Sequence, residues 1–326
     1  MKSRFLPLLL LIFVVGCQST HIKTQKRTSD KKEEKTQVYA PAPPVTVPST
    51  EPDDSDVEEN PSLPPTPVAP VVDSTEKWAL ILGPGGALTI GHVGVLRQFQ
   101  KMKVQPSWIV GVEWASPWAA LYSVEGSPQS IDWQLNKLKD SDFPGASGWL
   151  GDKETLSVNT YSTWLKEGFQ SRKLQNSKIN FLCPSFNLSK KTTYIMNRGE
   201  FREVLQFCWP YPPTLKAGRG AVAAPMALGS LVTYLRKQGV QKIILVNVMG
   251  NDGSVTVKDE QRDLLWGQIH EEYSTHGARA QGVDEVIEIN LGSMRHIDFK
   301  KRKEIIESAE QKSADQVQKV VRKFKL

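Results

Sequence analysis

Trp108-Ile109-Val110-Gly111-Val112-Glu113-Trp114-Ala115-Ser116-Pro117-Trp118-Ala119-Ala120-Leu121-Tyr122 decides how the rest of the chain is read. An apolar run of strand character ends at Gly111, and an apolar run of helical character resumes after Glu113. The joint is a strand-to-helix elbow. The central residue of such an elbow sits in a strained turn, and only small flanking residues let strand and helix approach closely. Gly111 and Ala115 meet that demand, two before and two after the centre, and the residue they present is Glu113.

Upstream, Leu80-Ile81-Leu82 runs into Gly83-Pro84-Gly85-Gly86, and a helical pattern follows through Gly91-His92-Val93-Gly94-Val95-Leu96. Ungapped from Leu80 to Tyr122, the two stretches resemble the patatin-like phospholipase family. The resemblance implies a glycine-rich loop offering N–H groups to an oxyanion, a G-x-S-x-G elbow with a serine nucleophile, and a distant aspartate that completes a Ser-Asp dyad. On that basis Gly83, Gly85 and Gly86 form the oxyanion loop and Gly111, Glu113 and Ala115 the elbow, with Glu113 where the serine belongs. Counting back from Gly239 puts the aspartate near Ala223, and no Asp or Glu occurs between Glu203 and Asp252. No catalytic residue is expected to be intact. Leu88 replaces a residue that is often basic in the family, and Pro84 lacks an N–H. His92 falls where the family often carries a histidine without a catalytic role. The order of later segments extends the likeness to Val248.

Glu113 admits three readings. Its carboxylate can occupy the oxyanion site, held by the helix dipole and by loop amides bonded to the charged form. It can act as an acid, base or nucleophile of altered chemistry. It can pair with a cationic headgroup or a basic residue of a partner. Ser116 is a poor substitute nucleophile, because Trp114 and Trp118 flank it and Pro117 follows. The two indoles either fill the acyl cleft or pack between helix and sheet.

The first residues carry Lys2 and Arg4, an apolar core from Phe5 to Val15, and then Gly16-Cys17. That core is too short for a mature membrane span and has the layout of a signal peptide over residues 1–16. Gly16-Cys17 resembles a bacterial lipobox, with Cys17 the lipidated mature N-terminus; the alternative is an ordinary signal peptide beside an incidental cysteine. Gln18 after the cysteine directs the expectation to the cell envelope, at the outer membrane facing the periplasm. Residues 17–75 are polar, charged and proline-rich without an apolar period, so they cannot bury enough surface to offset chain entropy. They read as a tether with a reach of roughly 45 Å.

Residues 76–326 suffice for one α/β domain. Strands are expected at Trp78–Leu82, Trp108–Val112, Lys178–Phe186, Thr192–Asn197, Lys242–Val248 and Glu285–Asn290, alternating with helical patterns. That alternation predicts a three-layer α/β fold, a mostly parallel sheet of about six strands with helices on both faces. Net charge is +6, with basic clusters at Phe299–Lys303 and Arg322–Lys325. Those clusters either meet anionic headgroups or form a solvated helix face. No nucleic-acid motif, zinc spacing or cofactor motif is present. In an exported protein Cys183 and Cys208 can form a disulfide, and a free packed thiol fits Cys183 equally well. The function expected is a catalytically degenerate patatin-like lipoprotein, membrane-bound through its anchor, that binds a lipid or an envelope protein. The alternative is an acyl hydrolase using Glu113 or an unaligned Ser/Asp pair.

Overall fold

The computed structural model describes residues 76–144, 156–212, 214–250 and 260–326. The leader, Cys17 and the tether lie outside them. The chain divides into the units Met1–Ala69 and Pro70–Leu326, and every described residue belongs to the second. In chain order its first elements are β1 (Trp78–Leu82), α1 (His92–Lys101), β2 (Trp108–Gly111), α2 (Ala115–Glu125), α3 (Pro128–Asn136), α4 (Ser162–Phe169), β3 (Asn180–Asn187) and β4 (Thr192–Met196). Then come α5 (Phe201–Cys208), β5 (Ala221–Ala223), α6 (Leu228–Lys237), β6 (Lys242–Asn247), α7 (Glu260–Tyr273), α8 (Thr275–Ala280), β7 (Glu285–Glu288) and α9 (Arg302–Phe324).

The strands form one sheet in the order β4-β3-β2-β1-β6-β7, with β5 also paired to β3. From β3 to β7 the pairing is parallel, and β4 and β5 run antiparallel to β3. The fold is thus the expected mostly parallel α/β sheet. Each expected strand is present within two residues of its predicted ends; β5 is an addition, too short to carry an apolar period.

The central strands are apolar at every position because helices cover both faces. Leu80, Leu82, Ile109, Ile244 and Val246 join one core with residues of α1, α2, α5 and α9. Ala79, Ile81, Val110, Ile243 and Leu245 point the other way, toward α6, α7 and α8. Each fully buried Leu or Ile contributes about 1.5–3 kcal/mol relative to exposure. On the first face α1 and α9 cross closely: a Cβ on Gly94 would lie 2.5 Å from both Glu310 N and Ile306 O. Arg97 spans the same layer, bonding Asp132 of α3 through one nitrogen and Glu310 of α9 through the other, each at 2.9 Å.

Of the two alternatives for the buried cysteines, the fold takes the disulfide: Cys183 of β3 is bonded to Cys208 at the end of α5. Because β1 and β2 are parallel neighbours, their C-terminal ends lie side by side. The glycine-rich turn after β1 and the elbow after β2 therefore meet at one edge of the sheet.

Candidate functional site

The elbow has the strained geometry its sequence demands. Glu113 adopts φ 58°, a left-handed conformation that costs a non-glycine residue roughly 1–3 kcal/mol. Backbone bonds on either side hold the strain, Val112 N–H to Leu82 O at 3.1 Å and Ser116 N–H to Glu113 O at 3.0 Å. Gly111 is required sterically, since a Cβ there would lie 2.5 Å from Ser116 Cα and 2.8 Å from Ala115 O. In the neighbouring turn Gly86 has φ 56°, and a Cβ would meet His296 O at 2.3 Å.

This turn points its amides at the elbow. Gly85 N–H and Gly86 N–H donate to Glu113 Oε2 at 3.1 and 3.0 Å. The third expected member of the loop, Gly83, donates its N–H to Val246 O in the sheet ladder, so it does not line the cradle. Its carbonyl instead meets His92 Nε2 at 2.8 Å. Full burial pushes the His92 imidazole down to about 4, so the ring is neutral and donates to that carbonyl. His92 braces the glycine turn from beneath.

Glu113 is 1% exposed, and its Oε1 is buried with no protein partner. Burial pushes its carboxyl up to about 7, and hydrogen bonds from Gly86, Trp114 and Gly85 N–H groups oppose that rise without cancelling it. The expected stabilisation of the charged form is therefore real but smaller than the cost of desolvation. Two buried tyrosines lie within electrostatic reach of the carboxyl. Burial raises the Tyr211 and Tyr273 hydroxyls; the Glu113 charge raises Tyr211 further, and the Glu272 and Glu113 charges raise Tyr273. Each hydroxyl is buried without a protein partner. Tyr273 also covers Gly83: a Cβ on that glycine would meet its ring at 3.2 Å.

Ser116 is fully buried and donates its Oγ to Gly111 O at 3.0 Å, with Cys208 O at 3.3 Å. Both indoles are fully buried as well. Trp114 Nε1 donates to Thr214 Oγ1 at 2.9 Å, and its ring sits 4.6 Å from Phe299 and 5.2 Å from Trp209. The Trp118 Nε1 donates to Thr89 Oγ1 at 3.2 Å. Trp114, Trp209 after α5 and Phe299 ahead of α9 thus form one buried aromatic cluster next to the elbow in sequence. Ala223 ends β5, buried, with its N–H on Pro210 O at 2.6 Å. It belongs to the same apolar cluster as Tyr211 and Val112, the residue before Glu113.

Among the described residues no group of three or more His, Cys, Asp or Glu side chains is placed to hold a metal. Tyr211, Tyr273 and the His296 carbonyl were not legible as site components, because no motif surrounds them and they reach the elbow from distant parts of the chain.

No family model matches the sequence, and no curated protein matches it. Among solved structures, the fold is similar to VipD from Legionella pneumophila, at 10% identity and a TM-score of 0.44, over 75% of this chain and 67% of that one. It is also similar to the type III effector protein ExoU, at 13% identity and a TM-score of 0.35, over 75% of this chain and 53% of that one. The chain spans about half the length of that effector.

Proposed function

We propose that this chain is a catalytically degenerate patatin-like lipoprotein of the bacterial envelope that acts by binding a lipid or an envelope protein, not by hydrolysis. One observation carries the reading: the Glu113 carboxyl stands at the elbow in place of a nucleophilic serine and fills the amide cradle itself, bonded to Gly85 and Gly86. Ester hydrolysis at an elbow needs an attacking oxygen, a base, and donors open to the developing oxyanion. Here the donors are occupied, Ser116 is committed to backbone carbonyls, and the position near Ala223 offers no carboxylate. Glu113 is itself enclosed, at 1% exposure. The Cys183–Cys208 disulfide supports export, since disulfides persist in oxidising compartments such as the periplasm. An anchor at Cys17 and a periplasm-facing outer-membrane location complete the proposal.

The test is turnover of phospholipids and short-chain esters by the purified protein, beside Glu113→Ala and the pair Glu113→Ser with Ala223→Asp. No turnover by the wild type is expected. Wild-type activity that disappears in Glu113→Ala refutes the reading and makes Glu113 a catalytic carboxylate. Activity gained by the Ser/Asp pair would show that the scaffold keeps hydrolase geometry. Lipidation is checked by incorporation of a labelled fatty acid, which Cys17→Ser should abolish.

A further inference from the structure

The fold separates the two basic clusters of the C-terminal region. Phe299–Lys303 leads into α9 beside the elbow, where Phe299 packs on Trp114. Arg322–Lys325 closes α9, and 23 helical residues put it about 34 Å away. At that far end it meets cations from other parts of the chain. Lys77 precedes β1 and Lys242 opens β6; Trp78 pairs with Lys242, and Gln241 N–H donates to Lys77 O at 2.8 Å. The Lys242 ammonium lies 5.6 Å from the Phe324 ring centroid. Lys103 sits in the loop leading to β2, and Lys237 ends α6. Because β1, β2 and β6 run parallel, their starts form one end of the domain, opposite the elbow.

The charge at this end is unbalanced. Asp284 is paired with Arg236, and Glu285 with Lys323 and Arg279. Lys77, Lys103, Lys237, Lys242, Arg322 and Lys325 have no ion-pair partner among the described residues, and Glu76 is the carboxylate left beside them. Helix dipoles favour cations at helix C-termini, which accounts for Lys237 and Arg322. They do not account for Lys77 and Lys242, which stand at strand starts. The segment before residue 76 also joins the domain here, so an anchor upstream would hold the domain from this end, through a tether with a reach of roughly 45 Å.

We infer that this strand-start end is a docking face for the anionic headgroups of a phospholipid bilayer. The argument from where the chain enters the domain rests on the envelope reading above, whereas the charge argument stands without it. A juxtamembrane cation strengthens attachment to anionic lipid by about fivefold, so removing three weakens it by about a hundredfold.

The experiment is vesicle flotation of the mature chain, residues 17–326, carrying Cys17→Ser to remove any acyl anchor. Vesicles of phosphatidylcholine alone are compared with equal parts phosphatidylcholine and phosphatidylglycerol. The protein should bind the anionic vesicles in preference and lose that preference as salt is raised. Lys77→Gln, Lys237→Gln and Arg322→Gln together should weaken it about a hundredfold, and Lys103→Gln with Lys325→Gln provides a second, independent loss. Lys300→Gln, Lys301→Gln and Lys303→Gln should change it less than threefold; circular dichroism checks that each variant folds. Equal binding to both vesicle types, or an equal loss from the Lys300–Lys303 set, overturns the assignment. Failure of Cys17 to take up a labelled fatty acid would sink the envelope reading and leave vesicle binding by this face untouched, so the two failures are distinguishable.

Discussion

Glu113→Gln should make the protein's stability less dependent on pH. Burial raises the Glu113 carboxyl from 4.5 to about 7. At about 1.4 kcal/mol per pH unit this corresponds to about 3 kcal/mol. The sign follows from proton counting: between these pH values the folded state holds a proton that the unfolded state has released, so stability falls as pH rises. The contribution is fully present below pH 4.5 and lost by the time pH has passed about 7. Glutamine keeps an oxygen that can accept from Gly85 and Gly86 N–H but cannot ionise. Urea unfolding of both proteins, followed by tryptophan fluorescence from about pH 4.5 to 8, should show the variant gaining about 3 kcal/mol on the wild type across the series. Other titrating groups are common to both proteins and largely cancel in the difference. A constant difference would refute the argument. A wild type that gains on the variant as pH rises would mean that the amide donors outweigh desolvation and hold Glu113 as a charged oxyanion mimic.

Gly111→Ala should destabilise by at least about 3 kcal/mol or prevent folding, because the added methyl meets the Ser116 and Ala115 backbones, which cannot rotate away; thermal melting measures it. Removing the disulfide with Cys183→Ala and Cys208→Ala should cost about 3 kcal/mol, given a sequence separation of 25. Denaturant unfolding with and without reductant checks the value, and the native wild type should show neither thiol to a thiol reagent. Gly94→Ala should lower the melting temperature by separating α1 from α9, at a cost of about 1–3 kcal/mol.

The sequence alone determined the strands and the elbow, because both depend on local rules. A buried parallel strand must be a short apolar run, and Leu80–Leu82 and Ile243–Val246 are such runs. An elbow must have small residues around its centre, so Gly111 and Ala115 mark Glu113 as that centre. Tertiary structure decided what no local rule contains. It sent the Gly85 and Gly86 amides to Glu113 and the Gly83 amide to the sheet. It paired Cys183 with Cys208, set β5 beside β3, and brought Lys242 of β6 to the Phe324 ring at the end of α9. The Glu113 proton affinity belongs to the same class: helix dipole and glycine amides are visible in the sequence and favour the charged form, while desolvation depends on segments that arrive from elsewhere in the chain, those of Tyr211 and Tyr273 among them. Burial is a property of the assembled fold, and at this elbow it outweighs the local terms.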